Sequence, residues 1–271
     1  MDINRVHAIY FSPTGTTQRA VSALAAGTGL PLKEYDLTTP KARQAFSRSF
    51  GKNDLVVVGL PVYGGRLPRN LDDFFSGLKG DATPAVAVAM YGNREFDDAL
   101  IELKMKLEER GFVVKAGAAF IGEHTFSKKI ATGRPDSNDL RIASNFGSQA
   151  AASISTDIAG TLTLKGHYPF MMKGYDPTNP GPHPTYFAVG TNENCTQCKL
   201  CVENCPWGAI DEDNPAIINL TKCLRCLRCI KICPASAKQI MDEKFLAYLP
   251  QFETRLNAKR CEPELFLTSS S

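Results

Sequence analysis

Eight of the nine cysteines in this 271-residue chain fall between Cys195 and Cys233, and none occurs in the first 194 residues. A secreted domain held by disulfides would not confine its cysteines in this way and would carry a signal peptide. The opening "MDINRVHAIYF" runs directly into an apolar strand, without a basic head, a long apolar run or a small-residue cleavage site. No apolar stretch approaches the ~18 residues that a bilayer span needs. The expectation is a cytoplasmic protein without a membrane span. A net charge of +3 is too slight to imply a nucleic-acid partner. Clustered cysteines then point to metal, and the length allows a full-sized domain beside a smaller one.

Residues 195–206 read "CTQCKLCVENCP" and residues 223–234 read "CLRCLRCIKICP"; both obey C-x2-C-x2-C-x3-C-P. This is the bacterial ferredoxin run, in which three cysteines bind one [4Fe–4S] cluster and the fourth crosses to the other. That pattern assigns Cys195, Cys198, Cys201 and Cys233 to one cluster, and Cys205, Cys223, Cys226 and Cys229 to the second. Pro206 and Pro234 turn the chain away after each run. Zinc would ask for two CxxC pairs around one ion, and two complete runs of identical spacing are hard to explain that way. Bacterial ferredoxins usually carry glycine straight after the second cysteine of each run, where this chain has Lys199 and Leu227. Cys261 lies outside both runs and reads as a plain thiol.

The first 159 residues alternate apolar strands with helical patterns. Strands are expected at 6–12, 32–37, 55–61, 85–91 and 113–121, with helices near 15–26, 41–49, 68–78, 95–110 and 138–157. Three of the strands are apolar nearly throughout, which suits burial on both faces of a parallel sheet. The fourth helix places Phe96, Ala99, Leu100, Leu103 and Leu107 on one face and stops at Gly111. The pattern predicts an α/β domain with a doubly wound five-stranded parallel sheet, any ligand lying outside the carboxyl ends of the strands. The turn after the first strand reads "SPTGTTQRA", four hydroxyl residues and a glycine at a helix start, which make an anion site. It is neither a P-loop nor a GxGxxG fingerprint, because no lysine follows the glycine and the second glycine pair is missing.

On these residues the domain resembles flavodoxins, whose FMN-phosphate loop is Ser/Thr-x-Thr-Gly-x-Thr. The resemblance implies that Ser12, Thr14, Gly15, Thr16 and Thr17 hold the phosphate. It also implies that "PVYGGRLP" (61–68) and "YGNREFDDA" (91–99) clasp the flavin ring. Pro61, Val62, Tyr63, Gly64, Gly65, Tyr91, Gly92 and Asn93 are the FMN-binding candidates there; Tyr63 and Tyr91 would flank the ring, since aromatic faces stack on flat heterocycles. Glu123, His124 and Phe126 would complete the rim.

Four segments are expected: a flavodoxin-like FMN domain (1–159), a proline-rich linker (160–190) containing "DPTNPGPHP", a small α+β ferredoxin domain with two clusters (191–241), and a C-terminal helix and tail (242–271). Phe245, Leu246, Leu249 and Phe252 could dock that helix, either as a clamp between domains or as ordinary packing. The whole arrangement resembles EFR1-type flavodoxin–ferredoxin fusion proteins of anaerobic prokaryotes, which implies an electron-transfer protein that passes electrons between two [4Fe–4S] clusters, FMN and a partner redox enzyme. A homodimer would serve if the linker kept flavin and cluster apart. The alternative is a flavin-dependent reductase acting directly on a small molecule. A substrate pocket over the flavin would favour the reductase and a flat exposed ring edge the carrier. Lys222, Arg225, Arg228 and Lys231 read either as a solvated basic face or as a landing patch for an acidic partner beside the Cys223 cluster.

Overall fold

The computed structural model describes residues 2–156, 160–174 and 187–268. The proline-rich "DPTNPGPHP" lies outside the described residues.

All five expected strands form: β1 (Arg5–Tyr10), β2 (Leu32–Asp36), β3 (Asp54–Pro61), β4 (Thr83–Tyr91) and β5 (Phe112–Ile121). They pair in parallel in the order β2-β1-β3-β4-β5. This is the flavodoxin-like order, with its switch point between β1 and β3. A sixth strand, β6 (Glu264–Leu267), extends the sheet antiparallel to β5. The five-stranded parallel expectation therefore becomes a six-stranded, mostly parallel sheet, because the tail "ELFL" finds an open edge next to β5.

Alternate residues of the central strands feed two cores. Ile9, Val56, Val58 and Ala87 face Leu100, Leu103 and Leu107 of the helix Ala99–Glu108. Val6, Ala8, Val57 and Val88 face the helices α1 (Thr16–Gly27) and α3 (Ser137–Ser155), taking the Ala99–Glu108 helix as α2. Phe96, Ala99, Leu100, Leu103 and Leu107, the stripe read from the sequence, are all fully buried. Residues 160–174 pack back on this domain. The buried Asp98 carboxylate accepts from the amides of His167 (2.9 Å), Met171 (2.8 Å) and Met172 (2.8 Å). Arg66 holds Glu102 with both ends of its guanidinium and stacks 3.7 Å from the centre of the Phe170 ring.

The smaller domain is closed by Val189–Thr191 pairing antiparallel with Lys238–Ile240. Its two short helices, Leu200–Glu203 and Arg228–Lys231, start directly after Lys199 and Leu227. Those two residues adopt left-handed backbone, φ 60° and 54°. The conformation that glycine usually supplies is thus kept without glycine. The last helix, α4 (Glu243–Asn257), is capped by Asp242, whose carboxylate accepts from Phe245 N at 2.8 Å. Phe245 and Phe252 are buried and Leu249 partly so, whereas Leu246 is 45% exposed.

Where α1 crosses α3 the backbones touch. A Cβ on Gly147 would lie 1.9 Å from Leu24 O, and one on Gly27 would lie 1.9 Å from Ser144 O. Gly147→Ala should therefore destabilise the fold by about 1–3 kcal/mol through overpacking, even though alanine raises helix propensity by ~1 kcal/mol. A urea midpoint that rises in the variant would overturn this account of the crossing.

Candidate functional site

The loop leaving β1 is shaped by Gly15, in left-handed backbone (φ 82°) at the start of α1, with open space where a side chain would stand. Ser12 works inside the loop. Its amide donates to Thr38 Oγ1 at 2.9 Å and its hydroxyl accepts from Gln18 N at 3.0 Å, so it braces the helix start. Thr14, Thr16 and Thr17 line a cavity of about 770 Å³; Ser12 and Gly15 do not. That volume is in the upper part of the ~300–1,000 Å³ range of small-molecule sites.

Two further turns form its sides. Val62 N donates to Met90 O at 2.8 Å, and Gly64 and Gly65 turn the chain at φ 62° and 82°. A Cβ on Gly65 would strike Asp97 and Met172 within 3 Å. Pro61, Val62, Tyr63, Gly64, Gly65, Tyr91, Gly92 and Asn93 all line the cavity, as do Glu123, His124 and Phe126. Asn93, read as a ring contact, has both ends of its amide engaged elsewhere. It donates to Leu256 O (2.7 Å) and Lys259 O (2.9 Å) and accepts from Cys261 N (3.0 Å). It fastens the end of α4 to the cavity rim. The Tyr91 ring lies 5.6 Å from that of Phe96. Its hydroxyl is held protonated by burial and by the neighbouring Cys261.

The remaining walls were not legible in the sequence. Leu224 and Arg225, inside the second cysteine run, and Phe252, Arg255, Leu256 and Lys259, along and just beyond α4, close the cavity. Nothing in the local pattern of these segments links them to loops over 100 residues away.

The eight run cysteines fall into two rings around small cavities of about 20 Å³ each. Cys195, Cys198, Cys201 and Cys233 line one; Cys205, Cys223, Cys226 and Cys229 line the other. The fourth cysteine of each run crosses to the other ring, as the spacing predicts. Ala209 N donates to Cys205 Sγ (3.3 Å) and Ala237 N to Cys233 Sγ (3.2 Å), an equivalent bond in each run. Among the described residues no three His, Cys, Asp or Glu side chains converge on a point that one metal ion could fill. Four sulfurs spread around a cavity suit a multi-iron cluster better than one tetrahedral zinc.

The second ring abuts the large cavity. Leu224 lines both. The Tyr63 hydroxyl is held protonated well above the usual phenol range by burial, with the Cys226 and Cys223 thiols beside it. Tyr63 also lies 6.2 Å, ring to ring, from Trp207, which lines the cluster cavity.

This placement corrects the reading of the basic residues. Arg225 is 1% exposed and donates to Phe187 O and Cys223 O, both at 2.8 Å. Arg228 donates to Pro13 O in the loop after β1 (2.8 Å) and to Asn204 Oδ1 (3.0 Å). Lys231 pairs with Glu123 at 3.5 Å. The four do not form one basic face: Arg225 is buried by carbonyls of its own domain, Arg228 and Lys231 reach the first domain, and Lys222 and Lys231 stay exposed.

Residues 194–238 match the family model described as a 4Fe-4S dicluster domain. No curated protein matches the chain as a whole or in part. Similar solved structures include a flavodoxin from the domain Archaea (14% identity, TM-score 0.40, 56% of this chain and 99% of that one). Flavodoxin 2 from Bacillus cereus follows at 18% identity and TM-score 0.39, over 55% and 99% of the two chains. The rubredoxin oxygen:oxidoreductase of Desulfovibrio gigas matches at 15% and 0.42, over 58% of this chain and 38% of that one. The flavodoxin-like assignment rests on the strand order and not on these scores. The chain joins a flavodoxin-like domain to a 4Fe-4S dicluster ferredoxin domain.

His124 offers a test of the cavity wall. Its Nδ1 accepts from Phe126 N at 3.1 Å, so the ring proton sits on Nε2. Burial, helped by Lys231 and Arg94, pushes its pKa down from 6.5 to about 4. Between those values only the unfolded chain binds this proton, so stability is lost as pH falls through the window, by up to roughly 3 kcal/mol. His124→Asn keeps an acceptor for the Phe126 amide and should flatten the fall, read as urea midpoints at pH 7, 5.5 and 4.5. Parallel pH profiles for the two proteins would show that His124 is not buried as described.

Proposed function

We propose that this chain is an electron-transfer flavoprotein in which a flavin, FMN, sits in the large cavity and two [4Fe–4S] clusters occupy the cysteine rings. The observation that carries the reading is the shared wall: the Cys223–Cys226 loop belongs at once to a cysteine ring and to the flavin cavity. When bound, the clusters exchange single electrons and the flavin one or two, so the chain converts between the two kinds of traffic.

The residues fit these groups. Thr14, Thr16 and Thr17, with the first amides of α1, supply hydroxyl and N–H donors for a phosphate. Gly64, Gly65 and Gly92 let the backbone approach a ring closely. The ring of Cys205, Cys223, Cys226 and Cys229 faces the flavin side. The other ring lies farther out, where Cys198 is exposed, and is the side at which a partner redox protein exchanges electrons. Contact between flavin and cluster is made within one chain, so a homodimer is not required for it.

A second reading has its own observation in favour. The cavity is roofed by α4 and the Leu224–Arg225 loop, not left as a flat exposed edge. That suits a flavin reductase acting directly on a small molecule, with electrons supplied through the clusters.

Anaerobic reconstitution tests the core of the proposal. About eight irons and one FMN should be retained per chain, and Cys226→Ser and Cys198→Ser should each lose about four irons. Cys226→Ser should also abolish flavin reduction by a one-electron donor, while direct chemical reduction of its flavin persists. Retention of zinc in place of iron, or of no flavin, would sink the reading.

A further inference from the structure

The large cavity carries an excess of positive charge on one side. Of its charged lining residues, Arg94 pairs with Asp97, Glu95 with Lys165 (3.3 Å) and Glu123 with Lys231 (3.5 Å). Arg225 is taken up by backbone carbonyls of its own domain. Arg255 and Lys259 remain, and among the described residues neither has a carboxylate within ion-pair distance. Both belong to the C-terminal segment, distant in sequence from the threonines of the loop after β1.

Both side chains are exposed, and the backbone that carries them is anchored. Phe252, Arg255 and Leu256 form one stripe of α4, with Lys259 just beyond its end. The Arg255 guanidinium lies 5.5 Å from the centre of the Phe252 ring. Asn93, 4% exposed, ties down Leu256 O and Lys259 O. A helix C-terminus by itself repels an anion, but the Leu256 carbonyl at its end and the Lys259 carbonyl just past it are already taken by that amide. Next to the cations the wall turns apolar: Phe252 and Phe126 lie 6.3 Å apart, ring to ring, and each flanks His124 at 5.1 Å.

We propose that this end of the cavity is a binding site for a small organic carboxylate with a flat apolar body. Its carboxylate meets Arg255 and Lys259, and its body lies against Phe252 and Phe126, beside the flavin. The cations give the charge-assisted bonds that select an anion; the aromatic faces select a flat body. The roof that keeps a partner protein from the ring leaves room for such a molecule. As a substrate site, it rests on the reductase reading above; as a binding site, it stands on the cavity alone.

The test uses the full reconstituted chain and benzoate as probe, with the neutral isostere benzamide beside it, both followed by calorimetry. Benzoate should bind at least tenfold more tightly than benzamide. Arg255→Gln with Lys259→Gln should weaken benzoate at least tenfold and leave benzamide and FMN retention unchanged; Arg255→Lys with Lys259→Arg should restore benzoate. Equal affinity for the two probes, no benzoate binding at millimolar concentration, or benzoate binding unchanged in the glutamine pair overturns the site. So does a glutamine pair that loses FMN but keeps riboflavin, because the cations would then seat the flavin phosphate. Flavin content is measured separately: a chain that binds benzoate as expected but retains no FMN upholds the site and sinks the flavin reading.

Discussion

Two arginines, Arg43 buried and Arg228 partly so, cross from one domain to the other's backbone and hold the two sites in register. Arg43, 4% exposed, donates to Pro206 O at 2.8 Å, one residue beyond Cys205. Arg228, one residue before Cys229, donates to Pro13 O at 2.8 Å in the loop after β1. A guanidinium taken from water is costly unless its donors are satisfied, and Arg43 meets this with carbonyls of Leu37, Thr38 and Pro206 together with the Asp73 carboxylate at 2.7 Å. These bonds work in opposite directions, one arginine from each domain. Together they fix both ends of the Cys205 ring against the flavodoxin-like domain, so the distance between ring and cavity is set by the fold and not by the proline-rich join.

Around this contact the aromatic residues supply the apolar burial. Phe126, from the loop after β5, meets Phe187 of the smaller domain at 5.1 Å and Phe245 of α4 at 5.7 Å. Phe187 and Phe245 are themselves 4.3 Å apart. Three segments distant in sequence therefore share one cluster, and each loses its apolar contact if another leaves. α4 continues to Phe252, which packs with Ile130 of the first domain, and β6 then joins the sheet. Of the two readings of the C-terminal helix, the clamp is the one the contacts favour, since it touches both domains before its chain ends in a third element of the first.

What was legible in the sequence was local. Strands β3 and β4 announce themselves as nearly unbroken apolar runs, β1, β2 and β5 by their place in the strand–helix alternation, and the stripe from Phe96 to Leu107 has the period of a helix. The cysteine runs carry their crossing pattern in their spacing. The illegible part was all long-range. Arg225 and Arg228 look like surface charge when only neighbours in sequence are considered. Their burial depends on carbonyls of Phe187 and Pro13, which no spacing rule connects to them. Ser12 has the type and position of a phosphate ligand, and its hydroxyl also serves the loop by accepting from Gln18 N. The same holds for Asn93: a polar side chain at a site loop is as readily used to build the loop as to face the ligand.

The roofed cavity changes the balance between carrier and reductase. A carrier gains from an exposed ring edge, because tunnelling to a partner weakens steeply with every ångström of protein between them. Here an exposed thiol lies at the Cys198 end, whereas the cavity is walled by α4, the Leu224 loop and the four loops that follow β1, β3, β4 and β5. The helix whose Phe245 packs on Phe187 and Leu227 of the smaller domain also brings Phe252, Arg255 and Leu256 to the cavity wall, with Lys259 just beyond. In this chain the element that joins the two domains is therefore also the element that shapes a substrate-sized space, and the two roles share one structural cause.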